Sequence, residues 1–230
     1  MSEHKPLLIE IGTEELPPKA LDELSAVFAA GICTSLSKRG IAADAANAKT
    51  YNSPRRLSVL VPGVADAQPD QAIERRGPAL NAGLDASGQP TKALLGFASS
   101  CGVSVKHLET LQTEKGSWFV HRSLQKGKPT AALVPEIISD ALAALPIPKP
   151  MRWGDHDYAF VRPVHWIVAL FGGEIVPLEA YGVKSGRESR GHRFLAPAPA
   201  SFSTRASSAS IMVRRAAPST TTKAARSLLL

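Results

Sequence analysis

LLIEIG (Leu7–Gly12) followed by TEELPPKALDELSAVFAAGICTSLSKRG (Thr13–Gly40) decides the reading of this chain. The first six residues are a short apolar run that stops at a glycine and the turn-forming TEELPP, so they read as a strand entering a turn. Pro18 then stands where a first helical turn tolerates proline. Leu21, Leu24, Phe28 and Ile32 recur at helical spacing, and Lys38, Arg39 and Gly40 supply a basic last turn and a glycine stop. A strand feeding a helix once does not make a repeating β–α unit, and the rest of the chain keeps no such beat.

Arg56–Val64 alternates Leu57, Val59 and Val61 with other residues and reads as a strand bounded by Pro62. Residues 65–90 are rich in turn formers and read as loops. Lys92–Ser100 is a short helix candidate; Glu114–Ser117 is a turn, and the following WFVHRSL alternates as a strand. From Thr130 to Leu145 the apolar positions Val134, Ile137, Ile138, Ala141, Leu142 and Leu145 keep helical spacing up to the prolines at 146, 148 and 150. Tyr158–Phe171 and Glu174–Tyr181, joined by Gly172-Gly173, predict a hairpin. The interleaving is irregular, so the expected fold class is α+β.

The chain has 230 residues and a formal charge of +7. That charge is uneven. Residues 195–230 carry five basic side chains and no acid, leaving 22 basic against 20 acidic groups in residues 1–194. The last 36 residues are also dominated by Ala, Ser, Thr and Pro. The expected organisation is therefore a body over 1–194 and a low-complexity basic tail over 195–230, disordered because it holds too little apolar surface to offset its conformational entropy. Two isolated cysteines, Cys33 and Cys101, exclude a disulfide scaffold and CxxC zinc sites and suit a reducing compartment. No uninterrupted apolar run reaches a bilayer's width, and Met1–Lys5 opens with charge rather than a signal core, so a cytoplasmic protein without a membrane partner is expected.

No GxxxxGK[ST], GxGxxG, HExxH or GxSxG string occurs. The six histidines are scattered. A metal site from His156, His165, Asp155 and Asp157 competes with an exposed turn plus a strand histidine, which is the simpler reading. A catalytic carboxylate pair at Glu14-Glu15, or a hydrolase using these and Asp157, competes with a solvated turn at the positive end of the next helix. No catalytic residue and no metal ligand is expected. Basic pairs bordered by Gly or Pro do recur: SPRR (53–56), ERRGP (74–78), RWG (152–154), Arg162-Pro163 and RESRGHR (187–193). Arginine forks match phosphate oxygens, and Trp153 or Phe194 beside them offers a stacking surface for an unpaired base. The RNA-contact candidates are Arg55, Arg56, Arg75, Arg76, Arg190 and Arg193. Against this stands pairing of each arginine with a local acid such as Glu74, Asp155 or Glu188.

IEIGTEELPPKAL, SPRRL, ERRGP, LPIPKPMRWG, FVRPVHWIVAL and RGHRF follow one another in this order. Over residues 1–194 the chain resembles the N-terminal part of the beta subunit of the bacterial heterotetrameric glycyl-tRNA synthetase. The resemblance implies an aminoacyl-tRNA synthetase subunit, a glycine–tRNA ligase component acting in protein biosynthesis by handling tRNA. It implies an alpha2beta2 assembly whose alpha subunit holds the class II site with ATP and Mg, no cofactor in this chain, and no DNA partner. Beta subunits of this family continue for several hundred residues beyond RGHRF to an anticodon-binding module. The abrupt compositional change after Phe194 is what a shifted reading frame would produce, and the expectation is a truncated subunit. The competing reading is a free-standing RNA-binding or assembly module without a ligase role.

Overall fold

The structure is a computed structural model and describes residues 3–85, 87–113, 116–191 and 199–202. In chain order the elements are β1 (His4–Thr13), α1 (Leu21–Lys38), β2 (Lys49–Ser53), β3 (Arg56–Ala65), β4 (Gln71–Ala79), α2 (Leu80–Gly83), α3 (Lys92–Ser100), β5 (Glu109–Thr113) and β6 (Gly116–Gln125). There follow α4 (Thr130–Ala143), β7 (Met151–Arg152), β8 (Ala159–Phe160), β9 (Val164–Phe171), β10 (Glu174–Ile175), β11 (Glu179–Ala180), β12 (Val183–Gly186), β13 (Glu188–Arg190) and β14 (Pro199–Ser201). This is an α+β fold, as the irregular order predicted. The described residues divide into two compact units, one from those within 1–68 and 128–202, the other from those within 69–127.

The first unit is a seven-stranded sheet in the order β11-β12-β9-β1-β3-β2, with β10 also on β9. All its pairings are antiparallel except β12 with β9. β1 lies centrally, buried on both faces from Leu7 to Thr13, which is why its sequence is nearly continuous in apolar residues. Leu7, Ile9 and Ile11 belong to the main core, with Leu24, Phe28 and Ile32 of α1 and Val134, Ile137 and Ile138 of α4. The Pro18–Lys38 stretch has the length and composition of a membrane-crossing helix although Lys19, Asp22 and Glu23 interrupt its apolar run, but its Leu24–Phe28–Ile32–Leu36 stripe is core.

α1 and α4 are clasped at one end. Asp140 Oδ2 accepts from Ser35 Oγ at 3.0 Å and pairs with Arg39 Nη2 at 2.9 Å. The Arg39 guanidinium, and after it the Ser35 hydroxyl, hold the Asp140 carboxyl below its ordinary value. A carboxyl whose folded value is depressed adds stability that is complete above the unfolded value and lost as pH falls through the folded one. Asp140→Asn is therefore expected to flatten the loss of stability as pH falls below the ordinary carboxylate range, read by urea unfolding at each pH. An unaltered acid limb would show the clasp to be inert.

Three strand expectations change. β3 runs past Pro62 to Ala65, because β1 shifts register between Lys5 and Leu7 opposite Pro62-Gly63, so the missing N–H falls at a bulge. The hairpin at Gly172-Gly173 forms, with Phe171 facing Glu174 and Gly172 at φ +62, but β10 leaves after two residues and Ala159–Phe160 is a separate strand. Residues 71–79, expected as loop, are β4; its centre, Glu74-Arg75-Arg76, is exposed and gives no apolar alternation.

The second unit is the antiparallel sheet β4-β6-β5. Thr91 caps α3 by accepting from the Leu94 N–H at 3.5 Å. On the β6 strand Arg122 bridges Glu74 on one neighbour at 2.8 Å and Glu109 on the other at 2.9 Å. The turn expected at Glu114–Ser117 lies partly outside the described residues; its last two positions, Gly116 and Ser117, already belong to β6, where they pair with Thr113 and Gln112.

The tail expected from residue 195 is narrower at its start. Pro199–Ser201 pairs with Glu188–Arg190, and Phe202 is 2% exposed within a second apolar cluster of Leu8, Trp166, Val168 and Leu170. A three-residue strand is too short to show alternation, so a single phenylalanine was the signal. Residues 203–230, and with them the expectation of disorder there, lie outside the described residues.

Candidate nucleic-acid interface

Segments that stood apart in the sequence meet at one end of the first unit's sheet. The Thr13 N–H donates to the Arg55 carbonyl at 2.9 Å, the Leu16 N–H to the Pro54 carbonyl at 2.6 Å, and the Glu14 N–H to the Pro163 carbonyl at 3.0 Å. TEELPP, SPRR and VRPVHW are thereby laced together through their backbones. Arg162 Nε adds a bond to the Glu15 carbonyl at 3.1 Å. Prolines at these junctions leave carbonyls free of competing N–H groups within their own loops.

Beneath the laced loops lies a buried polar group. Glu10, in the middle of β1, is wholly buried. Its Oε1 accepts from Trp166 Nε1 at 2.7 Å and from the Ser189 hydroxyl; its Oε2 accepts from Ser58 Oγ at 3.0 Å and lies 3.5 Å from Arg56 Nη1. Arg56 Nη2 donates to the Arg190 carbonyl. Four strands, β1, β3, β9 and β13, are thus tied through one carboxylate. Trp166 reaches it by lying across Gly12, where a Cβ would fall 1.9 Å from the ring. The Arg190 guanidinium stands over the same ring, 5.9 Å from its centre.

The arginine candidates therefore separate. Arg55 pairs with Glu14 at 3.3 Å, a carboxylate that also meets His165 Nε2 at 3.2 Å, and its side chain remains 26% exposed. Arg56, adjacent in sequence, points inward, is 8% exposed, and is committed to Glu10 and the Arg190 carbonyl. Arg190 is exposed. Arg75 and Arg76 belong to the second unit: Arg75 Nη1 donates to the Ser100 carbonyl at 3.1 Å, and Arg76 lies over the Trp118 ring, 3.8 Å from its centre. Arg193 and Phe194 are outside the described residues. Trp153 is occupied by Tyr158 at 5.1 Å and Tyr181 at 6.1 Å rather than presented for stacking.

Among the described residues no three His, Cys, Asp or Glu side chains gather as a metal site, so His156, His165, Asp155 and Asp157 do not form one. Glu14 is held by Arg55 and His165 rather than paired with Glu15 for acid–base work. Burial pushes the Cys33 thiol up, away from nucleophilic reactivity, and pushes Tyr51 and Tyr181 up likewise. Sequence reasoning missed Glu10, Ser58, Trp166 and Ser189. The available signal was a lone glutamate inside LLIEIG, since a carboxylate within a buried strand requires partners.

The arrangement is a set of motif loops laced together at one end of the sheet, with Arg55 paired to Glu14 and Arg190 exposed beside them. The sequence profile described as glycyl-tRNA synthetase beta subunit matches residues 7–217. A glycine–tRNA ligase beta subunit from Xylella fastidiosa (strain Temecula1 / ATCC 700964) is 54% identical over 203 residues, covering 88% of this chain and 28% of that protein. Those from Hahella chejuensis (strain KCTC 2396) and Marinobacter nauticus (strain ATCC 700491 / DSM 11845 / VT8) are 52% and 50% identical, over 87% and 83% of this chain and 29% and 27% of theirs. The chain spans a little over a quarter of the length of these curated relatives. It belongs to the glycyl-tRNA synthetase beta subunit family. The match continues past Phe194, where the motif resemblance ended.

Proposed function

We propose that this chain supplies a tRNA-handling and subunit-contact region of a glycine–tRNA ligase in the cytoplasm. The observation that carries the reading is the 54% identity to glycine–tRNA ligase beta subunits, together with the meeting of three shared-motif loops at one end of one sheet. ATP, Mg and glycine activation belong to the alpha subunit of an alpha2beta2 assembly. The chain's contribution is positional: holding tRNA so that its acceptor end meets activated glycine removes orientational freedom from the transfer step.

The phosphate-facing groups in the first unit are Arg55 and Arg190, with Arg193 beyond them in the sequence, while Arg56 anchors Arg190's strand from below. Each arginine contact with phosphate releases counterions, so affinity falls as salt rises. Replacing Arg55 and Arg190 together by alanine is expected to weaken tRNA binding and to shallow the salt slope by about one to two units. The basic residues between 205 and 226 are the same in parent and variant, so they do not enter the difference. Unchanged affinity and slope would assign this end of the sheet to the alpha subunit instead. The purified chain alone is expected to give no glycine-dependent ATP–pyrophosphate exchange, and exchange free of alpha subunit would overturn the division of labour.

A further inference from the structure

We propose that the cleft at the β4–α2 corner of the second unit receives one unpaired nucleotide of an RNA, a reading that rests on the tRNA-handling role. The cleft has a volume of about 760 Å³, within the roughly 300–1,000 Å³ of small-ligand sites. Leu80, Leu84 and Trp118 give it an apolar side, with a flat surface only at the tryptophan, and Asn81 and Ser117 give it a polar one. That combination suits a heteroaromatic base, which needs flat apolar surface with a few edge contacts.

Two further observations point to an occupant of this kind. Arg76 lies against the Trp118 ring and has no acid partner among the described residues, because Glu74 and Glu109 are both taken by Arg122. Its fork is thus open to a phosphate beside the base. Asp85, the one acid among the described lining residues, commits Oδ1 to its own loop, where it accepts from the Ser87 and Gln89 N–H groups at 2.8 Å each.

The test follows the indole N–H resonances of Trp118, Trp153 and Trp166 in the full chain labelled with ¹⁵N, with the Trp118 signal assigned through Trp118→Phe. Titration with single-stranded hexaadenylate RNA is expected to shift the Trp118 signal and leave Trp153 in place. Arg76→Ala, an exposed change that keeps the sheet, is expected to weaken that binding about tenfold, and Asn81→Leu to do so by a similar factor. A Trp118 signal that stays put while the chain still binds tRNA overturns this site and leaves the tRNA-handling role standing. AMP shifting Trp118 as effectively as the hexanucleotide also overturns it, in favour of a free-nucleotide site. Failure of both the hexanucleotide and tRNA to bind removes the tRNA-handling reading along with it.

Discussion

Gly12→Ala is expected to cost about 2.5–6 kcal/mol, the sum of an overpacking term of about 1–3 kcal/mol and loss of a hydrogen bond to a carboxylate of about 1.5–3 kcal/mol. The added Cβ would stand 1.9 Å and 2.0 Å from two atoms of the Trp166 ring. A ring seated between strands cannot swing aside as the end of a lysine can. Moving it also draws Trp166 Nε1 away from Glu10 Oε1, now 2.7 Å distant, and shifts the aromatic surface under Arg190. Against a typical domain stability of about 5–15 kcal/mol, the change threatens the first unit as a whole. Urea unfolding followed by tryptophan fluorescence measures it. A midpoint within error of the parent would mean that Trp166 does not lie across Gly12.

What was legible in the sequence depended on whether a residue's partner was local. α1, α3 and α4 follow from apolar spacing within one helix, and β1 and β6 from short runs bounded by turn residues. The β4 strand was hidden because its partners are charged and distant: Glu74 is stabilised as strand by Arg122, 48 positions away, and nothing near Glu74 announces that. Pro62 misled for the same reason, since the bulge accepting it is made by Lys5–Leu7 on another strand. Among the site residues, proximity in sequence suggested that Arg55 and Arg56 act as a pair. One lies in the laced loops and the other opens β3 and turns inward, so they do different work. Phe202 fell inside a stretch whose composition reads as tail. Motif order, by contrast, carried the family correctly, because it does not depend on knowing which residues touch.

Glu10→Leu is expected to destabilise the chain by about 3–5 kcal/mol, the cost of leaving one member of a buried ion pair without the other. Leucine fills the space within β1 and suits Leu8 and Trp166 on the same face, so the loss comes from the groups left behind. Arg56, 8% exposed, would keep only the Arg190 carbonyl as an acceptor, and its Nε already lacks a partner among the described residues. Ser58, Ser189 and Trp166 would each lose the oxygen they donate to. Adding Arg56→Leu to Glu10→Leu is expected to recover about 1–4 kcal/mol, because two matched apolar side chains remove the uncompensated charge. Recovery of fold need not restore tRNA binding. Without Arg56 the Arg190 carbonyl is untied, so the double variant should be the more stable protein and still hold tRNA less tightly than the parent. Measuring unfolding and tRNA affinity on the same two variants separates the roles: if the double variant regains stability and full affinity together, the Glu10–Arg56 pair serves the fold alone and does not position Arg190.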